Sequence, residues 1–406
     1  MGTKITKKLK SQKSIQKDKI SPSDLSVILS GPFLSHSGFA KMNREIAFGL
    51  TKRGVTVKVD ICDNKVEIDD KTKTSIDRMS EVKVKPKTPR IYSMTMPSII
   101  SSDGPRILFT MMESSKGLHK DYAEKMNLAS EIWVPTTHMT DIMQDAGVCS
   151  PVHVVPLGVD KDVFSQASGV MPLTKNARSF RFLSVSWWGP RKGFDILIKA
   201  FVEEFAEDED VCLIISSRSH DNKPANKIAE EIKQIIASTG NEEHAPVILH
   251  SKVTTDKELA SLYNACDAFV LASRGEGFSL PIVEAASCGL PVIATNCTAQ
   301  ETYLDDSNAY LLEPEGYERA NPQDGRSSNV GRWCKYYENQ MFPVFGGKSV
   351  RKLGELMRDI YENRSDAQVK ATVLTSKVRS SMTWDNTIDA VIERLSAIAM
   401  KQGEKA

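Results

Sequence analysis

Apolar positions along the chain follow two rhythms. Short runs such as Thr56 to Ile61, Arg106 to Phe109 and Ala268 to Leu271 have the length and composition of buried strands. Between some of them, Phe39 to Lys52 and Phe194 to Phe205 repeat their apolar residues at helical spacing. A first set of strands reads as Ser26 to Leu29, Thr56 to Ile61, Arg106 to Phe109, Glu131 to Val134 and Val152 to Val155. After Pro156-Leu157-Gly158-Val159-Asp160 and the polar stretch Gln166 to Ser179, a second set follows. It comprises Phe180 to Ser184, Val211 to Ile215, Val247 to His250, Ala268 to Leu271 and Val292 to Ala294. Alternation of this kind builds parallel sheets through right-handed crossovers. Two Rossmann-like, doubly wound α/β lobes are expected, residues 25–172 and 173–383, facing each other across a cleft at the carboxyl ends of their strands.

Three segments depart from the rhythm. Residues 1–24 carry Lys4, Lys7, Lys8, Lys10, Lys13, Lys17 and Lys19 with almost nothing to bury, and read as a disordered basic tail. A solvated extension is the plain reading; weak contact with an anionic membrane surface or nucleic acid is the functional one. Residues 313–350 are rich in Gly, Pro, Asn, Arg and aromatics, including Tyr317, Trp333, Tyr336, Tyr337, Phe342 and Phe345. So long an irregular insertion is usually functional or mobile. Trp384 to Ile398 has the apolar periodicity of a closing helix, expected over 384–400.

Composition narrows the classes. At 406 residues the chain suits two domains, and its 53 basic and 52 acidic side chains nearly cancel, so whole-chain charge argues for neither a nucleic-acid nor a membrane partner. Seven cysteines form no Cys-x-x-Cys pair, and several lie in apolar runs, as reduced core thiols do. No apolar run reaches about eighteen residues and the N-terminus lacks a signal-peptide core, so a cytoplasmic protein is expected, alternatively one peripheral to a membrane. Asp208-Glu209-Asp210 has a cation-binding spacing, but it closes a helix before a strand and reads as a solvated turn.

The chemistry concentrates in Ala272 to Thr295, ASRGEGFSLPIVEAASCGLPVIAT. Gly275 and Gly277 are expected to permit backbone conformations closed to other residues, leaving Glu276 on an exposed loop tip. Leu280-Pro281 then opens a helix, with Ser279 as cap, Gly289 as terminator and Pro291 beyond it. A strand, a glycine-bearing loop and a free helix N-terminus make an anion site, and Glu284 in the first turns suits a ribose diol. A second such turn runs from Gly31 to Ala40; it lacks G-x-G-x-x-G, which counts against a dehydrogenase.

G-E-G-F-S-L-P-x-x-E-A-x-x-C-G-L-P-V-x-A-T, as it stands from Gly275, resembles the E-x7-E signature of retaining glycosyltransferases of the GT4 family, which have the GT-B fold. The resemblance implies a nucleoside diphosphate sugar as donor and co-substrate, with no metal or other cofactor. It implies Glu284 on the ribose, the amides around Gly277 and Phe278 at the diphosphate, Ser279 and Leu280 as further donor-binding residues, and Glu276 at the sugar hydroxyls. Ser37-Gly38-Phe39 resembles the family's N-terminal glycine loop, which meets the diphosphate or lines the acceptor cleft, with His36 beside it. Lys192-Gly193 resembles the family's diphosphate-neutralising lysine. Many members also place an Arg six residues earlier, where this chain has Ser186. Arg191 is a substitute whose adjacent position argues that it points elsewhere, and Arg218 is a further donor-side candidate.

Where the family often has a His near a first-lobe strand, this chain reads Phe109-Thr110-Met111-Met112-Glu113-Ser114, so Glu113 is the candidate acceptor contact or proton acceptor. His138 is the alternative, and Thr136 fits a family position that is commonly a helix cap. The expected activity is transfer of a hexose with retention of configuration, to a glycan or lipid-linked saccharide. The alternatives are a modified nucleic-acid base or protein as acceptor, or a GT-B relative that is an epimerase, a phosphorylase or a silent binding protein.

Overall fold

Two parallel sheets of six strands, each flanked by helices, organise the molecule. The computed structural model describes residues 20–64, 66–94, 102–119, 121–218, 224–251, 255–320 and 337–403. Residues 1–19 of the expected tail, and Trp333 and Tyr336 of the 313–350 segment, lie outside the described residues.

The first lobe comprises β1 (Ser26–Gly31), α1 (Gly38–Lys52), β2 (Thr56–Ile61), α2 (Asp70–Ser80), β3 (Arg90–Ser93), β4 (Arg106–Phe109), α3 (Tyr122–Met126), β5 (Glu131–Val134), α4 (His138–Asp145) and β6 (Val152–Val154). Its strand order is β2-β1-β3-β4-β5-β6. The second lobe comprises β7 (Phe180–Trp187), α5 (Phe194–Glu204), β8 (Val211–Arg218), α6 (Ala225–Ala237), β9 (Val247–His250), α7 (Asp256–Tyr263), β10 (Ala268–Leu271), α8 (Leu280–Ser287), β11 (Val292–Thr295) and β12 (Tyr310–Leu312). Its order is β12-β11-β10-β7-β8-β9. A hairpin follows, β13 (Gly316–Arg319) with β14 (Met341–Val344), then α9 (Gly347–Glu362), α10 (Arg364–Ser381) and α11 (Trp384–Gly403).

Every residue of β5, β10 and β11 is buried, as strands covered by helices on both faces must be. β7 and β8 run past their apolar runs into polar ends, Ser184 to Trp187 and Ser216 to Arg218, paired in register from Ser184 with Ile215 to Trp187 with Arg218. β3 joins β1 to β4 at the centre of its sheet although the sequence reading assigned no strand there.

α11 returns to the first lobe. A Cβ on Gly49 of α1 would lie 2.5 Å from the Ile388 side chain, so the missing side chain sets the helix approach. Arg394 reaches the buried carboxylate of Glu131 at 2.7 Å. At the hinge, Val159 bridges to Thr383, and a Cβ on Gly158 would lie 2.1 Å from the Thr383 carbonyl carbon. One apolar core therefore runs from Leu29 and Leu50 through Val391 and Leu395 to Leu271 and Ile282.

Candidate active site

In each sheet the strand order reverses once, at β1/β3 in the first and β7/β10 in the second, and ligands bind outside the carboxyl ends at such switch points. The loops after β1, β7 and β10 meet there around a cleft of about 400 Å³.

The loop after β1 is tied down from within. Asp63 accepts from the amides of Phe33, Leu34 and Ser35 at 2.8–2.9 Å, and Arg44 donates to the carbonyls of Phe33 and Ser35 at 2.7 and 2.9 Å. Ser37 caps α1 by accepting from the Ala40 amide at 3.2 Å, which leaves the open first turn at Gly38 and Phe39 facing the cleft. His36 lines the same wall; burial and the charge of Arg218 lower its pKa.

From the second lobe, β7 ends in a tight turn over Pro190–Lys192. Gly193 follows at φ +68°, where a Cβ would also lie 1.8 Å from the Ala272 carbonyl oxygen, so only glycine lets α5 start there. Lys192 then projects into the cleft and places Nζ 2.6 Å from Glu276. Glu276 is 5 % exposed, so the expected exposed loop tip is instead a buried carboxylate with a fixed cation. The cause is the rest of its surroundings, since its amide donates to Thr298 at 3.0 Å and its carbonyl accepts from the Ala299 amide at 3.3 Å. Burial pushes the Glu276 carboxyl up, but Lys192 and Arg191 together hold it below the usual carboxylate range. Burial and the neighbouring Arg191 lower the Lys192 ammonium.

Three further expectations need correction. Gly275 and Gly277 are not at positive φ; a Cβ at Gly275 would lie 1.9 Å from the Glu113 carbonyl oxygen, and one at Gly277 2.9 Å from Met111, so close contact with the first lobe demands them. Ser279 makes no side-chain cap and sits in left-handed backbone at φ 73°. α8 does end as its sequence suggests, with Gly289 at φ +86° and its amide and that of Leu290 closing on Ala286 and Ala285. Arg191 does not point away. Its guanidinium lies 2.8 Å from Glu113 and 3.7 Å from Glu276 and donates to the Gly275 carbonyl. Glu113 also accepts from the Tyr337 hydroxyl, so Arg191, Glu113 and Tyr337 join the lobes at one end of the cleft.

Glu284 is 4 % exposed. Lys41 of α1 reaches across the cleft to it at 2.6 Å, and the Tyr263 hydroxyl donates to its other oxygen at 3.3 Å. Burial raises the Glu284 pKa, with Lys41 opposing. Gly277, Phe278, Ser279, Leu280 and Arg218 also line the cleft. Thr136 and His138 are absent from its lining. Thr136 is buried and precedes the N-cap Thr137 rather than capping α4, and His138 is held by Glu301 at 2.9 Å and the Ser114 carbonyl at 3.0 Å. The sequence reading missed Lys41, Asp256 and Tyr263. The one local signal was for Asp256, which opens α7 behind the Thr255–Glu258 capping box. Among the described residues no cluster of His, Cys, Asp or Glu has metal-binding geometry.

Two doubly wound lobes meeting at facing switch points, with a C-terminal helix returning to the first, define a GT-B fold. Anabaena HepE, solved with UDP and glucose, superposes with a TM-score of 0.63 at 14 % identity, covering 92 % of this chain and 100 % of its own. Sucrose-phosphate synthase of Thermosynechococcus elongatus gives 0.64 at 12 % identity, covering 94 % and 100 %. Residues 179–321 match the family described as "Glycosyl transferases group 1". The MMP alpha-(1→4)-mannosyltransferase of Mycolicibacterium hassiacum is 32 % identical over 185 residues, 45 % of this chain and 41 % of the relative. Mannosylfructose-phosphate synthase of Agrobacterium fabrum is 28 % identical over 153 residues, 36 % and 32 % of the two chains. The matched stretches thus span less than half of these curated relatives.

Proposed function

We propose that the protein is a retaining glycosyltransferase that moves a hexose from a nucleoside diphosphate sugar to a hydroxyl of a glycan or lipid-linked saccharide. The observation that carries this reading is the arrangement around α8. Glu276 is paired with Lys192 at the open end of the helix, and Glu284 stands in the same cleft. Lys192, Arg191 and the N-termini of α1 and α8 present positive charge and amides to a diphosphate. Glu284 accepts from the ribose hydroxyls, and Glu276 faces the sugar.

In the reaction the bond from the anomeric carbon to the diphosphate oxygen breaks, its electron pair leaving with the phosphate. The acceptor oxygen bonds to that carbon from the same face and gives its proton to the departing phosphate oxygen. Stabilisation of the leaving group by fixed cations supplies most of the rate, and the interlobe contacts of Glu113, Arg191 and Tyr337 keep water out. Because these cations already meet the diphosphate, turnover is expected to persist in EDTA.

The sugar relatives named above favour a mannose- or glucose-type hexose. The test is a thermal-shift and hydrolysis screen of the purified protein against UDP-, GDP-, ADP- and TDP-sugars. Stabilisation by one donor with slow nucleotide release, both lost in Glu284→Ala, is the expected result. No response to any donor would leave a silent binding protein as the better reading.

A further inference from the structure

The lysine paired with Glu284 comes from the opposite lobe. Lys41 lies on the first turn of α1, its Nζ 2.6 Å from Glu284, 3.2 Å from Asp256 and 4.7 Å from the centre of the Phe164 ring. Its side chain lines the cleft. A carboxylate offers about four acceptor positions, so Lys41 on one oxygen and Tyr263 on the other leave room for a diol.

We propose that Lys41 is a positioning residue for the ribose-binding carboxylate, supplying its counter-charge and fixing its aim from the first lobe, so that recognition of a ribose diol requires both lobes together. This rests on the assignment of Glu284 to the ribose. The electrostatics agree, because burial and Asp256 push the Glu284 carboxyl up while Lys41 is the principal group pulling it down. The groups facing this pair are Lys41, Arg44 and Glu45 of α1, Asp256 and Tyr263 of α7, Asp160 of the hinge, and Cys288 next to α8 with Arg379 beyond it. Glu45 is itself pushed up to about 7 by burial. Without Lys41 the Glu284 carboxyl holds its proton to higher pH, and a protonated carboxyl has one fewer acceptor for the diol.

The test uses the full chain and whichever of UDP, GDP or ADP binds it tightest, together with that nucleotide's 2′,3′-dideoxy analogue. The readout is the ratio of the two affinities, in which the titration of Glu45 and the diphosphate contacts cancel. For the wild type a ratio on the order of tenfold is expected at about pH 8, and the titration runs from there to about pH 6. Lys41→Met is expected to bind the dideoxy analogue like the wild type, to lower the ratio severalfold, and to lose what remains as the pH falls. Lys41→Arg, which keeps the charge, is expected to restore it. A Lys41→Met ratio equal to the wild type across that pH range would overturn the role of Lys41. A wild-type ratio of one, or no nucleotide binding at all, would instead overturn the ribose assignment of Glu284.

Discussion

Glu276 and Glu284 stand eight residues apart on one loop and helix, both at most 5 % exposed and both 2.6 Å from a lysine, yet their surroundings differ in kind. Lys192 belongs to the same lobe as Glu276, on a turn fixed by Gly193, so this pair is complete within one sheet-and-helix unit. Lys41 belongs to the other lobe, so the pair at Glu284 exists only while the lobes are together. The carboxyl of Glu276 is held low by two nearby cations, whereas that of Glu284 is pushed up by burial against a single one. One carboxylate–lysine pair is thus complete within the second lobe, and the other is completed by a side chain of the first.

The strongest way to break the contrast is Lys192→Met, which leaves the buried Glu276 carboxylate with Arg191 at 3.7 Å as its remaining cation. Urea unfolding is expected to show a loss of about 3–5 kcal/mol, with turnover lower by on the order of a hundredfold. Wild-type stability would mean that Arg191 alone suffices as the counter-charge of Glu276. Next comes Gly275→Ala, whose Cβ would meet the Glu113 carbonyl oxygen at 1.9 Å. It should wedge the lobes apart and lower turnover on the order of tenfold while the second lobe keeps its fold, read by turnover and circular dichroism.

The pH dependence of stability sharpens the comparison further. Because the folded pKa of Glu276 lies below its unfolded value, its contribution is present above about pH 4.3 and is lost as the pH falls through the folded value. For Glu284 the folded pKa is raised, so its contribution is present below about pH 4.3 and is lost as the pH rises through the folded value. Glu276→Gln and Glu284→Gln should therefore differ from the wild type with opposite pH slopes in chemical denaturation; slopes of one sign would erase the distinction. The smallest effect is expected for Arg53→Ala, whose partners Asp385 and Asp389 are exposed. Less than about 1 kcal/mol should be lost, although these contacts tie α1 to α11.

The strands that were legible in the sequence are those buried on both faces, such as β10 and β11, because a central parallel strand needs an unbroken apolar run. β3 was hidden because its four residues, Arg90-Ile91-Tyr92-Ser93, are too short and too mixed to read as an apolar run, and only its neighbours in the sheet make it a strand. α2 buries only Ile76 and Met79, too few to mark a helix by periodicity. In the site, the turn after β10 announced Glu276 and Glu284, and the glycine after Lys192 announced that lysine. What stayed hidden was every contact made across the cleft. Nothing local in the sequence marks Lys41 as the partner of a carboxylate 243 positions away. Arg191 was misjudged on the grounds that adjacent side chains diverge, but the other lobe delivers Glu113 to where its guanidinium points. The role given to Gly275 and Gly277 failed for the same reason, since what crowds them is the first lobe.

The division of labour between the two glutamates is tested most directly by calorimetric titration of Glu276→Gln and Glu284→Gln with the donor sugar found by the screen and with its free nucleoside diphosphate. Glu284→Gln should weaken both ligands alike, by about tenfold. Glu276→Gln should bind the nucleotide as the wild type does and lose affinity only for the sugar-bearing donor. Equal losses for both ligands in both variants would contradict the assignment of the nucleotide to one glutamate and the sugar to the other.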